Sequence, residues 1–274
     1  MTNRALRRTA TYLLAFLFAA IALLPIIYIL FASFKPGSEL FRYPPQLLPE
    51  RFTLENYLQV LQETNFLIFF KNSTIVAVLS TALTVIINTM AGYAFAKYRF
   101  RGSNAIFMFF ICTLMLPLEV LMIPIFQMVQ KLGMYNNYLG LIIPPAATPM
   151  GVFLVRQYFY SVPNELNEAA RIDGASETKT FVYLMLPLAK PVMSVLAIFS
   201  FMWRWNDYMW PLLVIRDSDL YTIQLALANF NGEYSVDWNS LLAMSVIAMI
   251  PVLIIFLIFQ KQFVRGMVTS GMKE

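Results

Sequence analysis

Long uncharged apolar runs dominate the chain, and their spacing predicts its elements. Such runs lie between Arg8 and Lys35, Lys71 and Lys97, Lys131 and Arg156, and Asp237 and Lys261. A membrane-spanning helix needs roughly 20 mostly apolar residues. A fifth stretch, between Arg101 and Lys131, holds the single charge Glu119, and a sixth, Ala189 to Ile215, carries Lys190, Arg204 and Asp207. The pattern therefore predicts an all-α membrane protein with six transmembrane helices. Pro25, Pro117, Pro124, Pro144, Pro145 and Pro251 fall inside these spans and predict kinks or breaks. Such breaks are tolerated where the backbone faces protein or a water-filled cavity.

The polar segments between spans set the topology. Residues from Pro36 to Lys71 are rich in turn formers and read as an external loop with one short amphipathic helix, Leu54 to Leu61. Arg4, Arg7 and Arg8 precede the first span, and Lys97, Arg99 and Arg101 fill the tight connection after the second. Arg156, Arg171, Lys179 and Lys190 belong to a long later loop, and Lys261, Arg265 and Lys273 follow the last span. Excess Lys and Arg marks the cytoplasmic side, so both termini and that loop are expected there. Trp203, Trp205, Trp210 and Trp238 fall near the outer interface, where aromatic belts sit. Three parts follow: residues 1–70 with the first span and external loop, a core of residues 71–262 enclosing the loop 161–188, and a cytoplasmic tail of residues 263–274. Arg7-Arg8 before an apolar run looks like an export signal, yet the run is long for one and lacks a clear small-residue cleavage site. A retained first helix is expected.

Composition narrows the chemistry. Apolar residues make up 59% of the chain and charged ones 13%, against about 25% charged in soluble domains. The net charge of +5 is spread among apolar segments and forms no basic block, so nucleic acid is not an expected partner. Cys112 stands alone and histidine is absent. Disulfides, a cysteine metal cluster and the commonest general base are thereby removed. No metal site and no catalytic residue is expected.

The loop from Ser161 to Pro187 is the most informative segment. Pro163 suits a first helical turn, and Glu165 and Glu168 place negative charge at that helix's positive end. Leu166, Ala169 and Ala170 make a narrow apolar stripe. Gly174 suits a left-handed helix terminus, Ser176 caps a second helix with Glu177 in its first turn, and Pro187 ends it. The product is a helix-turn-helix hook beneath the membrane. Small alanines admit close approach of another protein, while Glu168 and Arg171 supply oriented charge. By composition alone the hook equally suits an amphipathic helix resting on headgroups.

The spacing of Glu168-Ala169-Ala170, Gly174 and Leu184-Met185-Leu186-Pro187 resembles the EAA signature of permease subunits in binding-protein-dependent ABC importers. Phe201-Met-Trp-Arg-Trp-Asn206-Asp207 with Trp210-Pro211-Leu212, and the ending Gln260 to Lys273, look like the carbohydrate-uptake, maltose-type branch. Ala32-Ser-Phe-Lys35 with Pro44-Pro45, and Asn72-Ser73-Thr74, also fit, so the likeness spans essentially the whole chain. It implies the type I ABC importer permease fold with both termini inside. It also implies a bacterial or archaeal cytoplasmic membrane, a second homologous permease, two ATPase subunits and an extracytoplasmic solute-binding protein delivering a sugar. Docking on the ATPase would fall to Glu168, Ala169, Ala170, Arg171, Asp173, Gly174, Leu186 and Pro187. Gly266, Ser270 and Gly271 of the tail would reach toward the ATPase interface.

ATP and magnesium would bind the partner ATPase, with no cofactor in this chain. Gly266 to Gly271 has the glycine spacing of a phosphate loop, but Met272 stands where Lys is required. Ionisable residues at membrane depth are functional candidates by default. Glu119 beside Pro117 and Pro124 fits either the pathway and an inter-subunit contact or a structural pair. Arg204, Asn206 and Asp207 fit the pathway or interfacial snorkelling. A glycerol-phosphate-type importer shares the loop and tail and remains an alternative. An ion-coupled secondary transporter is less favoured, because no inverted repeat with paired intramembrane acids is evident.

Overall fold

The computed structural model describes residues 2–229 and 237–271. Among them every regular element is helical, and those of five residues or more are α1 Thr2–Ala32, α2 Glu55–Glu63, α3 Phe66–Lys97, α4 Ser103–Cys112, α5 Leu118–Lys131, α6 Tyr138–Ile142, α7 Pro149–Ser161, α8 Glu165–Ile172, α9 Glu177–Leu188, α10 Lys190–Trp205, α11 Met209–Val214, α12 Ile223–Asn229 and α13 Trp238–Gly271. Three helices are long and apolar enough to cross a membrane, Arg7–Ala32, Phe66–Lys97 and Trp238–Gln260. The other three apolar stretches are bent pairs. Ser103–Met115 meets Leu118–Lys131 at 113°, Tyr138–Ala146 meets Pro149–Ser161 at 42°, and Glu177–Leu188 meets Lys190–Trp205 at 74°. The described chain thus holds three continuous candidate spans, and up to six if each bent pair is one.

Proline explains two of the breaks. Leu116 precedes Pro117 and is extended (φ −87°, ψ 129°), as steric conflict with the following ring demands. Thr148 is likewise extended before Pro149; its hydroxyl accepts from Gly151 N and caps α7. Pro25, Pro124 and Pro251, expected to disturb their spans, lie inside continuous helices. The short helix expected at Leu54 to Leu61 runs Glu55–Glu63.

The chain divides into two compact units. One comprises Met1–Leu67 with Leu227–Ile250, within the described residues. Its polar centre is Asn56, buried, whose amide donates to the carbonyls of Ser33 (2.8 Å) and Lys35 (2.9 Å) and accepts from Asn239 Nδ2 (3.0 Å). The Lys35 ammonium, also buried, donates to Gln46 O. These bonds tie the end of α1 and its following loop to α2 and the start of α13.

The second unit comprises Ile68–Ala226 with Pro251–Glu274, again within the described residues. Helix α3 is its axis. Val76 packs with Met122, Val129, Leu141, Trp210, Val214, Ile215 and Leu225 toward one end. Tyr93 packs with Val155, Phe159, Met185, Ala189 and Leu196 toward the other. Gly92 lets α3 cross α7 closely: a Cβ there would sit 2.6 Å from Val155 Cβ. Polar residues of α3 hold the broken segments. Asn88 Nδ2 donates to Thr84 O (2.6 Å) and Ala146 O (3.1 Å), and its Oδ1 accepts from Thr148 N (2.9 Å). Asn72 Nδ2 donates to Asp219 O (2.8 Å) and Tyr221 O (3.0 Å), while its Oδ1 accepts from Tyr138 (2.6 Å). Buried amides left unmatched are costly; these two have every group engaged.

Candidate functional site

The hook stands in the second unit as two arms, α8 and α9, joined by a turn. Asn164 N-caps α8 and accepts at its carbonyl from Glu168 N (3.1 Å). Glu165 and Glu168 sit in the first turn, where the exposed N–H groups favour negative charge. Gly174 has φ +76°, the left-handed conformation expected of it, and open space surrounds its α-carbon. Ser176 then caps α9 by accepting from Lys179 N (3.3 Å).

Two features of the second arm differ from the sequence expectation. Between Thr180 and Met185 it is π-helical, with its backbone bonds one residue longer than in an α-helix. Helical structure also continues through Pro187 to Leu188, and the chain turns at Ala189 before α10 begins. Pro187 thus lies in the last turn of α9, one residue before that helix ends at Leu188.

The inner face of the hook is anchored. Phe181, Leu184 and Met185 join the cluster around Tyr93 and Phe159. Tyr93 stacks edge-on against Tyr98 (5.5 Å) and Phe159 (5.1 Å). Polar bonds supplement the packing. Lys97 Nζ donates to Val162 O (2.5 Å) and Asn164 Oδ1 (2.8 Å), and Tyr93 donates to Asn167 Oδ1 (3.2 Å). The Tyr98 hydroxyl donates to Glu177 Oε2 at 2.5 Å, and Arg171 Nε donates to Glu177 Oε1 at 2.8 Å. Burial, then the bond to Glu177, pushes the Tyr98 phenol above its ordinary range, so it stays a donor. Tyr158 donates to Leu188 O (2.5 Å) and pins the far end of the second arm.

The outer face is free in this chain. Glu168, Ala169, Asp173 and Gly174 are exposed, Ala170 is half-buried, and Leu186 is half-buried beside exposed Pro187. Leu166 is exposed too, and the most exposed apolar groups of the hook are Ile172 (86%) and Tyr183 (79%). Sequence reasoning passed over both; the position of Ile172, directly before the Asp173-Gly174 turn, was the available signal. Among the docking residues named from sequence, only Arg171 has its charge engaged inside the hook, by the pair with Glu177.

The pathway candidates are scattered. Glu119 is exposed in the first turn of α5, just after the 113° break. Arg204 and Asp207 approach each other at 3.9 Å, with side chains 12% and 15% exposed, and Asp207 Oδ1 accepts from Trp210 N (3.2 Å), capping α11. Asn206 is exposed and its amide donates back to Met202 O (2.8 Å). The side chains of Gly266, Ser270 and Gly271 lie outside the described residues.

Known proteins resemble this chain along nearly its whole length. Residues 88–269 match the family described as binding-protein-dependent transport system inner membrane component. The arabinooligosaccharides transport system permease protein AraQ of Halalkalibacterium halodurans is 37% identical over 258 residues, covering 93% of this chain and 92% of that one. Its Bacillus subtilis counterpart is 35% identical, covering 97% and 96%. The sn-glycerol-3-phosphate transport system permease protein UgpE of Escherichia coli is also 35% identical, covering 92% of each. A crystal structure of a bacterial ABC transporter involved in import of the acidic polysaccharide alginate superposes with a TM-score of 0.86 at 27% identity, over 95% of this chain and 97% of its own. With the hook geometry and the helical spans, these likenesses place the chain in the family of inner membrane components of binding-protein-dependent transport systems.

Proposed function

We propose that the chain is one of two permease subunits of an ATP-driven importer, and that its cargo is a sugar, most simply an oligosaccharide. The observation that carries this reading is the hook. It is anchored on its inner face and presents Leu166, Ala169, Ile172 and the Gly174 turn outward, on a chain with no phosphate-binding loop of its own. One of the complex's two ATPase subunits docks there, with Glu168, Ala169, Ala170, Arg171, Asp173, Gly174, Leu186 and Pro187 in and around the contact. ATP and magnesium belong to those subunits, and Gly266, Ser270 and Gly271 of the tail extend the contact. The chain crosses the cytoplasmic membrane six times with both ends inside, as the distribution of Lys and Arg supports.

An extracytoplasmic binding protein delivers the solute, and ATP binding shifts the complex between inward- and outward-facing states. Such a cycle is a two-state equilibrium biased by two ligands, with the hook as the coupling element. Glu119, exposed at a helix break in the bilayer, contributes to the pathway or to the facing permease, and exposed Asn206 is the second candidate. Arg204 and Asp207, paired and half-buried, shape that end of α10. Two of the named relatives carry arabinooligosaccharides, which supports a sugar. The Escherichia coli relative, named for sn-glycerol 3-phosphate, supports that solute as the alternative cargo.

Proteoliposomes holding the complex purified through this chain, with its binding protein outside and ATP within, test the proposal. Radiolabelled arabinooligosaccharides, alginate oligosaccharides and sn-glycerol 3-phosphate are offered separately. ATP-dependent uptake of a sugar supports the reading. Uptake of sn-glycerol 3-phosphate alone changes the cargo, and uptake of any solute without ATP contradicts the mechanism.

A further inference from the structure

One carboxylate joins three segments of the second unit. Glu177, at the start of α9, takes the Tyr98 hydroxyl on one oxygen (2.5 Å) and Arg171 Nε on the other (2.8 Å). Tyr98 follows the last residue of α3, and Arg171 belongs to α8. The same carboxylate therefore links the first arm, the second arm and the end of α3. The other polar side-chain bonds at this end of α3 go to the root and first arm of the hook, at Val162, Asn164 and Asn167, and to Arg156 of α7, and none of these meets the second arm.

We infer that Tyr98 is a positioning residue for transport: it makes the second arm of the hook move with α3 when the ATPases push on the hook. The second arm has two ways to respond to such a push. It continues into α10 through a π-helical stretch and a 74° bend, a connection suited to flexing, since π segments recur where helices must adjust. Its polar route into α3 runs through Tyr98. With that bond in place, displacement of the arm is delivered to the long helix that organises both apolar clusters of this unit. Without it, the arm keeps only its non-directional apolar packing on Tyr93, through Phe181, Leu184 and Met185, and part of the push is taken up at the bend. In the hook Tyr98 bonds Glu177, which is not among the residues named for docking, and Arg171 keeps its own bond to that carboxylate when the Tyr98 hydroxyl is removed.

This inference rests on the importer reading, and the test separates the two. Complexes carrying wild-type chain, Tyr98→Phe, Glu177→Ala and the double variant are placed in the proteoliposomes above, with whichever offered sugar the wild type imports. Sugar imported per ATP hydrolysed is measured beside the amount of ATPase co-purified. Tyr98→Phe keeps the ring and its stacking on Tyr93 and removes the hydroxyl, and with it the bond to Glu177. It is expected to co-purify the ATPase at wild-type level while lowering sugar per ATP about fivefold or more, the effect of one charge-assisted hydrogen bond. In the Glu177→Ala background, adding Tyr98→Phe should change little further, because coupled partners are non-additive. A wild-type ratio in Tyr98→Phe overturns the inference, as does a loss of transport in proportion to lost ATPase, which would mark a structural role. A wild-type complex that imports no sugar overturns the reading beneath it, and the inference with it.

Discussion

Single residues decide where this chain bends. Gly174 adopts φ +76° at the tip of the hook, where an L-residue costs about 1–2 kcal/mol and a β-branched one sits least easily. Asn88 does the equivalent inside the bilayer region. Its side chain serves Thr84 O, Ala146 O and Thr148 N at the break before α7. Asn88→Ala leaves two backbone groups of that break unmatched, each costing about 1–3 kcal/mol. The thermal unfolding midpoint in detergent should fall by several degrees, and an unchanged midpoint would show that water or a rearranged helix replaces the amide. Gly174, the Ser176 cap and the acidic first turn were all readable beforehand, because capping chemistry is local and carries its own residue types. The roles of Asn88 and Asn72 were not, since each depends on carbonyls more than fifty positions away that no spacing rule connects.

At the scale of elements, the apolar runs marked the six candidate spans but not their shape, and the helix Ile223–Asn229 lies outside all of them. Pro117 lies at a sharp break while Pro25, Pro124 and Pro251 ride inside continuous helices. Proline removes one hydrogen bond, and whether the helix then breaks depends on what packs around the freed carbonyl. The π-helical stretch of α9 leaves no compositional trace either, being a matter of hydrogen-bond register. Close packing is better marked. Gly92 sits where α3 meets α7, and a Cβ would stand 2.6 Å from Val155 Cβ and 2.9 Å from Arg156 N. Gly92→Ala must therefore push the two helices apart, at a cost of about 1–3 kcal/mol. The same detergent unfolding assay should register that loss, and retained stability would mean that the crossing has slack.

For the whole molecule, the first helix is the clearest sign of what lies outside the chain. Its candidate span is the most exposed of the three continuous ones, with Tyr12, Phe16 and Phe18 among its bare side chains. Apolar surface of that extent is stable against lipid or a partner subunit, not against water. The hook presents a smaller bare face, tipped by Ile172, on the side expected to be cytoplasmic. A bare apolar first helix and an outward hook are surfaces left for other molecules to cover, as suits a member of a family of inner membrane transport components. The proposed function assigns the energy source to partner subunits, so the decisive question is which proteins the hook holds.

Purifying the tagged chain from its native membrane in mild detergent, and identifying what accompanies it by mass spectrometry, addresses that question most directly. The account predicts a second permease and an ATPase with the wild-type chain, and loss of the ATPase but not the permease with Gly174→Val. A wild-type chain that purifies alone, folded and able to move solute without ATP, would contradict it.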